Sequence, residues 1–264
     1  MGASSYYLSS ILRKSFPMHR FFTHQHLALG STLELEAPAA RHVQVLRMQP
    51  GDTITLFNGL GNDEGEYNAT ICAMGRSNVS VLVSSFAKTH TEPARAVHLA
   101  IGMPANDRMD WLVEKATELG VTSIQPLTTE RSVLRLVGER ADKKLAHWQG
   151  VAIAASEQCG RSRVPLIHAP IHLSAFLRGC LDTAPEAHCA RLLLSLQAGT
   201  QALAAFAGQH DAFTLLSGPE GGLSPAEIAA AHAAGFLAMT LGPRVLRSET
   251  APLAALAYLQ LLAL

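Results

Sequence analysis

The sequence has no excess of charge in either direction. Lys+Arg and Asp+Glu number 21 each in 264 residues, for a formal net charge of +0. A chain-wide basic field for nucleic acid is therefore excluded, and any such contact must come from local asymmetry. Charged residues are scarce at 16% beside 48% hydrophobic, the balance of an ordinary folded protein with room for two domains. The four cysteines (Cys72, Cys159, Cys180 and Cys189) form no CxxC pair and no zinc spacing. They read as free thiols of a reducing compartment, and a cytoplasmic location is expected. No apolar run reaches the roughly 18 to 20 uncharged residues of a membrane helix. The nearest, Ala251 to Leu264, reads as a buried terminal helix, so no membrane partner is expected. No GxGxxG follows a strand and no loop ends in GK[ST], which argues against dinucleotide and Walker-type sites. His24 and His26 have the spacing of a strand metal pair, but no Asp/Glu/Cys cluster completes it, and no metal is expected.

What the sequence does have is a pair of Gly/Pro loops. Leu215 to Pro225 (LLSGPEGGLSP) and Leu241 to Ala251 (LGPRVLRSETA) each leave a short apolar run, Ala212–Leu216 or Leu237–Leu241. Each then enters an Ala-rich helix with Pro225 or Pro252 in its first turn, where a missing N–H costs nothing. Two strand-to-helix loops leaving one sheet edge define the place where open α/β sheets bind ligands. The first loop lacks Lys and carries Glu220, which repels a polyphosphate and suits a cationic ligand. Its backbone groups remain free to bond an adenine or ribose edge.

Upstream, residues 20–88 are β-rich. Ser31–Glu36 and Thr53–Phe57 alternate with period two, and Tyr67–Cys72 and Asn78–Val83 follow after turns, a spacing that predicts a small barrel. One helix, Ala37 to Met48, interrupts it. Arg20, Arg41 and Arg47 concentrate charge here and are expected, with His42, to contact RNA. Lys88 to Ala96 reads as a linker. Val97–Gly102 is then a strand, followed by a helix to Leu119 with Gly120 at C′. Ile124–Leu127 is the next strand, and a helix runs from about Lys143 to Gly160. Seven cations lie between Arg131 and Arg163, a local basic surface that the net charge hides, and Arg131 and Arg163 are assigned to RNA. Strand Leu192–Leu196 and a helix from Gly199 complete a sheet expected to have five or six strands.

The two loops, together with Glu114–Val121 (EKATELGV) and Glu157–Arg161 (EQCGR), resemble the ribosomal RNA small subunit methyltransferase E family from about Met18 to the C-terminus. The resemblance implies an α/β fold: a C-terminal SPOUT-type trefoil-knot domain (91–264) after a small PUA-like β-barrel domain (18–90). His42–Arg47 matches the HLxxVLR motif of the latter. Residues 1–17 are expected to be a disordered extension. The resemblance further implies transfer of a methyl group from S-adenosylmethionine to uracil N3 of 16S rRNA in the small ribosomal subunit, by a homodimer paired through its knot helices. The implied cofactor residues are Leu196, Leu216, Gly218, Pro219, Glu220, Gly221, Leu241, Gly242, Leu246, Arg247, Thr250 and Ala251. Departures from the family pattern are Ala105-Asn106, where many relatives carry Lys-Gly, Cys159, where they usually carry Ser, and Ser248, where they usually carry Thr.

In-line methyl transfer needs no covalent enzyme nucleophile, so Cys159 reads as structural. The weakly acidic N3–H calls for a base and for a cation on the uracil oxygens. Glu157 is the expected base, Arg161 the cation and Gln158 the reader of the base edge. Three rival readings stand beside this one. They are a knotted methyltransferase of tRNA or 23S rRNA, a non-catalytic ribosome-assembly factor that binds RNA, and a nucleotide-dependent enzyme, the last disfavoured by the missing Lys.

Overall fold

The computed structural model describes residues 19–59, 65–105, 107–182, 188–197 and 199–262. The extension expected at residues 1–17 lies outside them. The chain divides into two compact units, residues 1–92 with 156–163, and residues 93–155 with 164–264.

In the first unit, β1 (Arg20–Phe22), β2 (Thr32–Glu34), β3 (Thr53–Phe57), β4 (Gly65–Met74) and β5 (Val79–Lys88) form one sheet in the order β1-β3-β4-β5-β2. All pairings are antiparallel except β1 with β3, which is parallel. Period-two patterning puts Ile54 and Leu56 of β3, Ala69 and Ile71 of β4, and Val79, Val81 and Val83 of β5 on a common apolar core. Helix α1 (Ala37–Val45) adds Ala39, Ala40 and Val43 to it. The helix stops short of the expected Met48 because Arg47 sits at φ +56°, a left-handed conformation that a helix cannot contain.

Buried ion pairs hold residues 156–163 within this unit. Arg20, 5% exposed, donates to the carbonyls of Ser156, Glu157 and Arg161, pairs with Glu66 at 2.7 Å and lies 4.7 Å above the Phe57 ring. Glu92 accepts from the Arg161 guanidinium at 2.7 Å and from the backbone N–H groups of Ser162 and Arg163. Both side chains of the Arg161–Glu92 pair are 7% exposed.

The second unit is a parallel sheet with strand order β11-β13-β10-β12-β6-β7-β8, and β9 also pairs with β7. Its strands are β6 (Ala96–Gly102), β7 (Ser123–Thr128), β8 (Leu166–Ile167), β9 (Ile171–His172), β10 (Cys189–Leu194), β11 (Gln201–Ala202), β12 (Ala212–Ser217) and β13 (Leu237–Thr240). Both faces are covered, which is why these strands read as nearly continuous apolar runs. Leu99 and Ile101 face a core built with α2 (Asp107–Glu118), α3 (Glu139–Cys159) and α7 (Thr250–Leu261). Ala100 and Leu216 face the other side, with α4 (Leu173–Asp182) and α6 (Pro225–Ala233). The short α5 (Ala204–Ala207) follows β11. Among the described residues no helix is long and apolar enough to cross a membrane.

The sheet is wider than the five or six strands expected, since β8, β9 and β11 are two-residue strands set by their neighbours rather than by pattern. Helix α3 begins at Glu139, earlier than Lys143, because Gly138 at φ +54° offers its carbonyl to the N–H groups of Ala141 and Asp142.

Replacing Glu92 with Ala removes the buried carboxylate that pairs with Arg161. The expected loss is about 3–5 kcal/mol of stability, read as a lowered urea midpoint of the first unit. A midpoint equal to wild type would show that the pair carries no such weight.

Candidate functional site

The carboxyl edge of the parallel sheet carries a pocket of about 250 Å³. Three chain segments meet in it: residues 194–196 after β10, the loop after β12, and the loop after β13. Because β10 lies between β12 and β13, its continuation (Leu194, Ser195, Leu196) forms the wall between the two Gly/Pro loops.

Local geometry explains the glycines of the first loop. A Cβ on Gly218 would stand 2.8 Å from Leu223 N, and one on Gly102 at the end of β6 would stand 2.6 Å from Pro219 Cδ. Gly222, at φ +68°, donates its N–H to the Pro219 carbonyl and closes a tight turn. Helix α6 then starts with a reciprocal cap. Ser224 Oγ accepts from Glu227 N, while Glu227 Oε2 accepts from Ser224 N. The other oxygen of Glu227 accepts from Glu130 N at 2.8 Å, and Arg131 donates to the Gly221 carbonyl at 2.8 Å, so the segment after β7 clamps the loop from outside.

The second loop is fixed at both ends. Gly242 takes φ +112° and exchanges hydrogen bonds with Thr240 Oγ1. At the far end the Arg247 carbonyl accepts the N–H groups of Thr250 and Ala251 as α7 begins. Arg108, in the first turn of α2, joins the two loops. Its guanidinium lies 3.1 Å from Glu220 Oε1 and 4.0 Å from Glu249 Oε1, and Ala105 N–H also donates to Glu220 at 3.0 Å. Partial burial opposes ionisation of Glu220. The N–H of Ala105, its own N–H and Arg108 outweigh that and hold its carboxyl below the usual glutamate range.

Of the residues expected to hold a cofactor, Leu196, Gly218, Pro219, Glu220, Leu241, Gly242, Leu246, Arg247 and Ala251 line the pocket. Leu216 does not; it is fully buried in the core beneath the loop. Gly221 turns its carbonyl to Arg131, and Thr250 borders a separate groove with Trp111 and Leu253. Sequence reasoning passed over Ser217, Met239, Arg244 and Val245 in the lining, and Arg108 behind it. Ser217, Arg244 and Val245 carried a signal, their place inside the two loops; Met239 and Arg108 carried none. The pocket joins apolar walls (Leu194, Met239, Leu241, Leu246) to glycine backbone and one ionised carboxylate, with the exposed Arg244 and Arg247 at its rim. That set fits a flat heteroaromatic group joined to a cationic centre, and it lacks the Lys of a polyphosphate site.

The expected catalytic residues belong to the first unit. Glu157 Oε1 accepts Phe22 N–H at 2.9 Å, and Oε2 lies 3.7 Å from His42 Nδ1. Burial pushes the Glu157 carboxyl above its ordinary value, against the pull of the Phe22 N–H, His42 and Arg20. Gln158 is exposed, whereas Arg161 is consumed by Glu92. Among the expected RNA contacts, Arg41, His42, Arg47, Arg131 and Arg163 are exposed, whereas Arg20 is buried and presents no surface to RNA. Among the described residues no group of His, Cys, Asp and Glu could hold a metal ion.

Residues 91–260 match a family described as RNA methyltransferase domain, and residues 35–84 one described as RNA methyltransferase PUA domain. The fold and pocket thus define an RNA methyltransferase of the SPOUT-type α/β knot class with a PUA-like β domain, the fold class expected from the sequence. The ribosomal RNA small subunit methyltransferase E of Bacillus subtilis is 31% identical over 90% of this chain and 94% of its own. The Synechocystis protein of the same name is 32% identical over 89% and 74%. Among solved structures, a ribosomal RNA small subunit methyltransferase E from Neisseria gonorrhoeae bound to S-adenosyl methionine superposes with a TM-score of 0.83 at 36% identity, covering 93% of this chain and 98% of that one. A methyltransferase from Legionella pneumophila with bound SAM gives 0.84 at 36% identity, covering 92% and 97%. The chain belongs to the ribosomal RNA small subunit methyltransferase E family.

Replacing Arg108 with Ala should loosen both loops. Because the ion pairs are partly exposed, the expected effect is a roughly two- to fivefold rise in amide exchange at Gly218–Leu223 and Val245–Glu249, with unchanged helicity. Wild-type exchange rates at both loops would show that the bridge holds neither.

Proposed function

We propose that the protein transfers a methyl group from S-adenosylmethionine to N3 of one uridine of 16S rRNA in the small ribosomal subunit. The observation that carries this reading is the three-walled pocket at the knot edge, in a chain that matches its family along nearly its whole length. Leu194, Leu196, Met239, Leu241 and Leu246 supply apolar walls for the adenine. Gly218 and Gly242 bring backbone close to the ligand, and ionised Glu220 favours a cationic centre. The cofactor supplies an electrophilic methyl group on a good leaving group. The chain's part is therefore to align the acceptor and to take the N3 proton.

Glu157 takes that proton. Its raised pKa brings it nearer to the weak imide acid than an exposed glutamate would be. Exposed Gln158 reads the base edge beside it. Arg161 is better understood as a positioning residue, because freeing it for the uracil oxygens would strand Glu92 in the interior.

The protein acts in the cytoplasm as a homodimer. Trp111, 45% exposed on α2, borders an apolar groove with Leu119, Leu253 and Ala254, a face suited to self-association through these two helices.

Methyl-labelled S-adenosylmethionine should label undermethylated small subunits, with the label recovered as 3-methyluridine by mass spectrometry. Label in a different nucleoside, or in tRNA or 23S rRNA instead, would overturn the target. RNA binding without any label would favour an assembly factor. Wild-type turnover should fall as pH drops through the raised pKa of Glu157, because the base is then protonated. Glu157→Gln should turn over slowly without that dependence, and an unchanged rate and profile would remove Glu157 from the role. Trp111→Asp should shift the protein from dimer to monomer by light scattering; an unaltered mass would move the interface elsewhere.

A further inference from the structure

The mouth of the pocket carries positive charge that its own neighbours leave standing. The two carboxylates there, Glu220 and Glu249, both face Arg108, and Glu249 also accepts from Ser248 Oγ. Arg131 donates to the Gly221 carbonyl, a neutral acceptor that leaves its charge uncompensated. Arg244 and Arg247 are exposed, and their guanidiniums have no ion pair or hydrogen bond among the described residues. Between them Val245 is 84% exposed, the most exposed large apolar side chain described. The segment is pinned at Gly242 by Thr240 and at Arg247 by the start of α7, so this presentation is built into the backbone.

An apolar side chain held in water between two unpaired guanidiniums, at the rim of a methyl-donor pocket, matches a single-stranded polynucleotide. Phosphates answer the guanidiniums, and an unstacked base or sugar offers an apolar face. A paired acceptor is ruled out by the reaction itself, because N3 of uracil lies on the edge used in base pairing. We infer that Arg244, Val245 and Arg247 form the acceptor-strand subsite. The two arginines hold phosphates flanking the target nucleotide, and Val245 packs against its face. The inference rests on the RNA methyltransferase reading of the pocket and extends it to the exposed rim of its second loop.

The test uses the full chain, Arg244→Ala/Arg247→Ala and Val245→Ser variants, and undermethylated small subunits as the probe. Filter binding is run across a salt series, and S-adenosylmethionine binding is followed by thermal shift. The double variant should bind subunits about tenfold or more weakly, with the salt dependence of log Kd shallower by about 0.7 for each arginine lost. Its circular dichroism spectrum and ligand-free melting temperature should match wild type, which certifies its fold. Val245→Ser should lower kcat/KM with the wild-type salt slope. Wild-type affinity and slope in the double variant would overturn the inference. So would loss of the cofactor shift with subunit binding intact, which would assign the arginines to the cofactor. Failure of the wild-type chain to methylate any RNA would instead take down the proposed function, and a wild type that methylates keeps the two outcomes separate.

Discussion

Strand β6 ends against the first loop at a distance that no side chain could share. A Cβ at Gly102 would fall 2.7 Å from the nitrogen of Pro219, and one at Gly218 would fall 2.8 Å from the backbone of Leu223. Both positions require glycine for space rather than for an unusual dihedral angle, since neither has a positive φ. The carboxyl edge is organised by this approach. It seats Pro219 over the end of the sheet and brings Glu220 within reach of Ala105 N–H and Arg108. Arg108 then reaches Glu249 in the second loop. The ligand pocket is thus a consequence of backbone contact first and of side-chain electrostatics second.

Much of this was legible in the sequence, for local reasons. Strict alternation marked Thr53–Phe57, and prolines in the first turn marked the starts of α6 and α7. Gly120, at φ +86°, stops α2 as its position suggested. The strands that escaped notice, β1, β9 and β11, are two or three residues long and exist because a neighbour offers hydrogen bonds, which no pattern within so short a segment can reveal. Strand order was equally out of reach. The two Gly/Pro loops suggested a shared sheet edge, but nothing in them showed that β10 stands between β12 and β13 and brings Ser195 into the pocket.

At the site, composition exposed the glycines and the unusual acid in the first loop. It could not show which charges are already answered. Arg20 and Arg161 looked like surface cations, yet each is more than nine-tenths buried against carbonyls or a carboxylate. Arg244 and Val245 looked like filler in a loop and stand at the pocket's rim. Burial separates the two groups, and for side chains as long as arginine it depends on partners 69 to 141 positions away.

The order of the parallel sheet also bears on how the chain is made. Strand β6 pairs with β7 soon after both are synthesised, but its other edge waits for β12, which begins at Ala212. Synthesis proceeds at about 5–20 residues per second, so that edge stays open for roughly 5–20 s. Throughout that time Val97, Leu99 and Ile101, all but fully buried in the finished protein, belong to a half-paired strand. Such an edge invites pairing with another chain. The second unit therefore passes through a long interval of nascent-chain vulnerability, set by the same late insertion of β12 that places the first loop over Gly102.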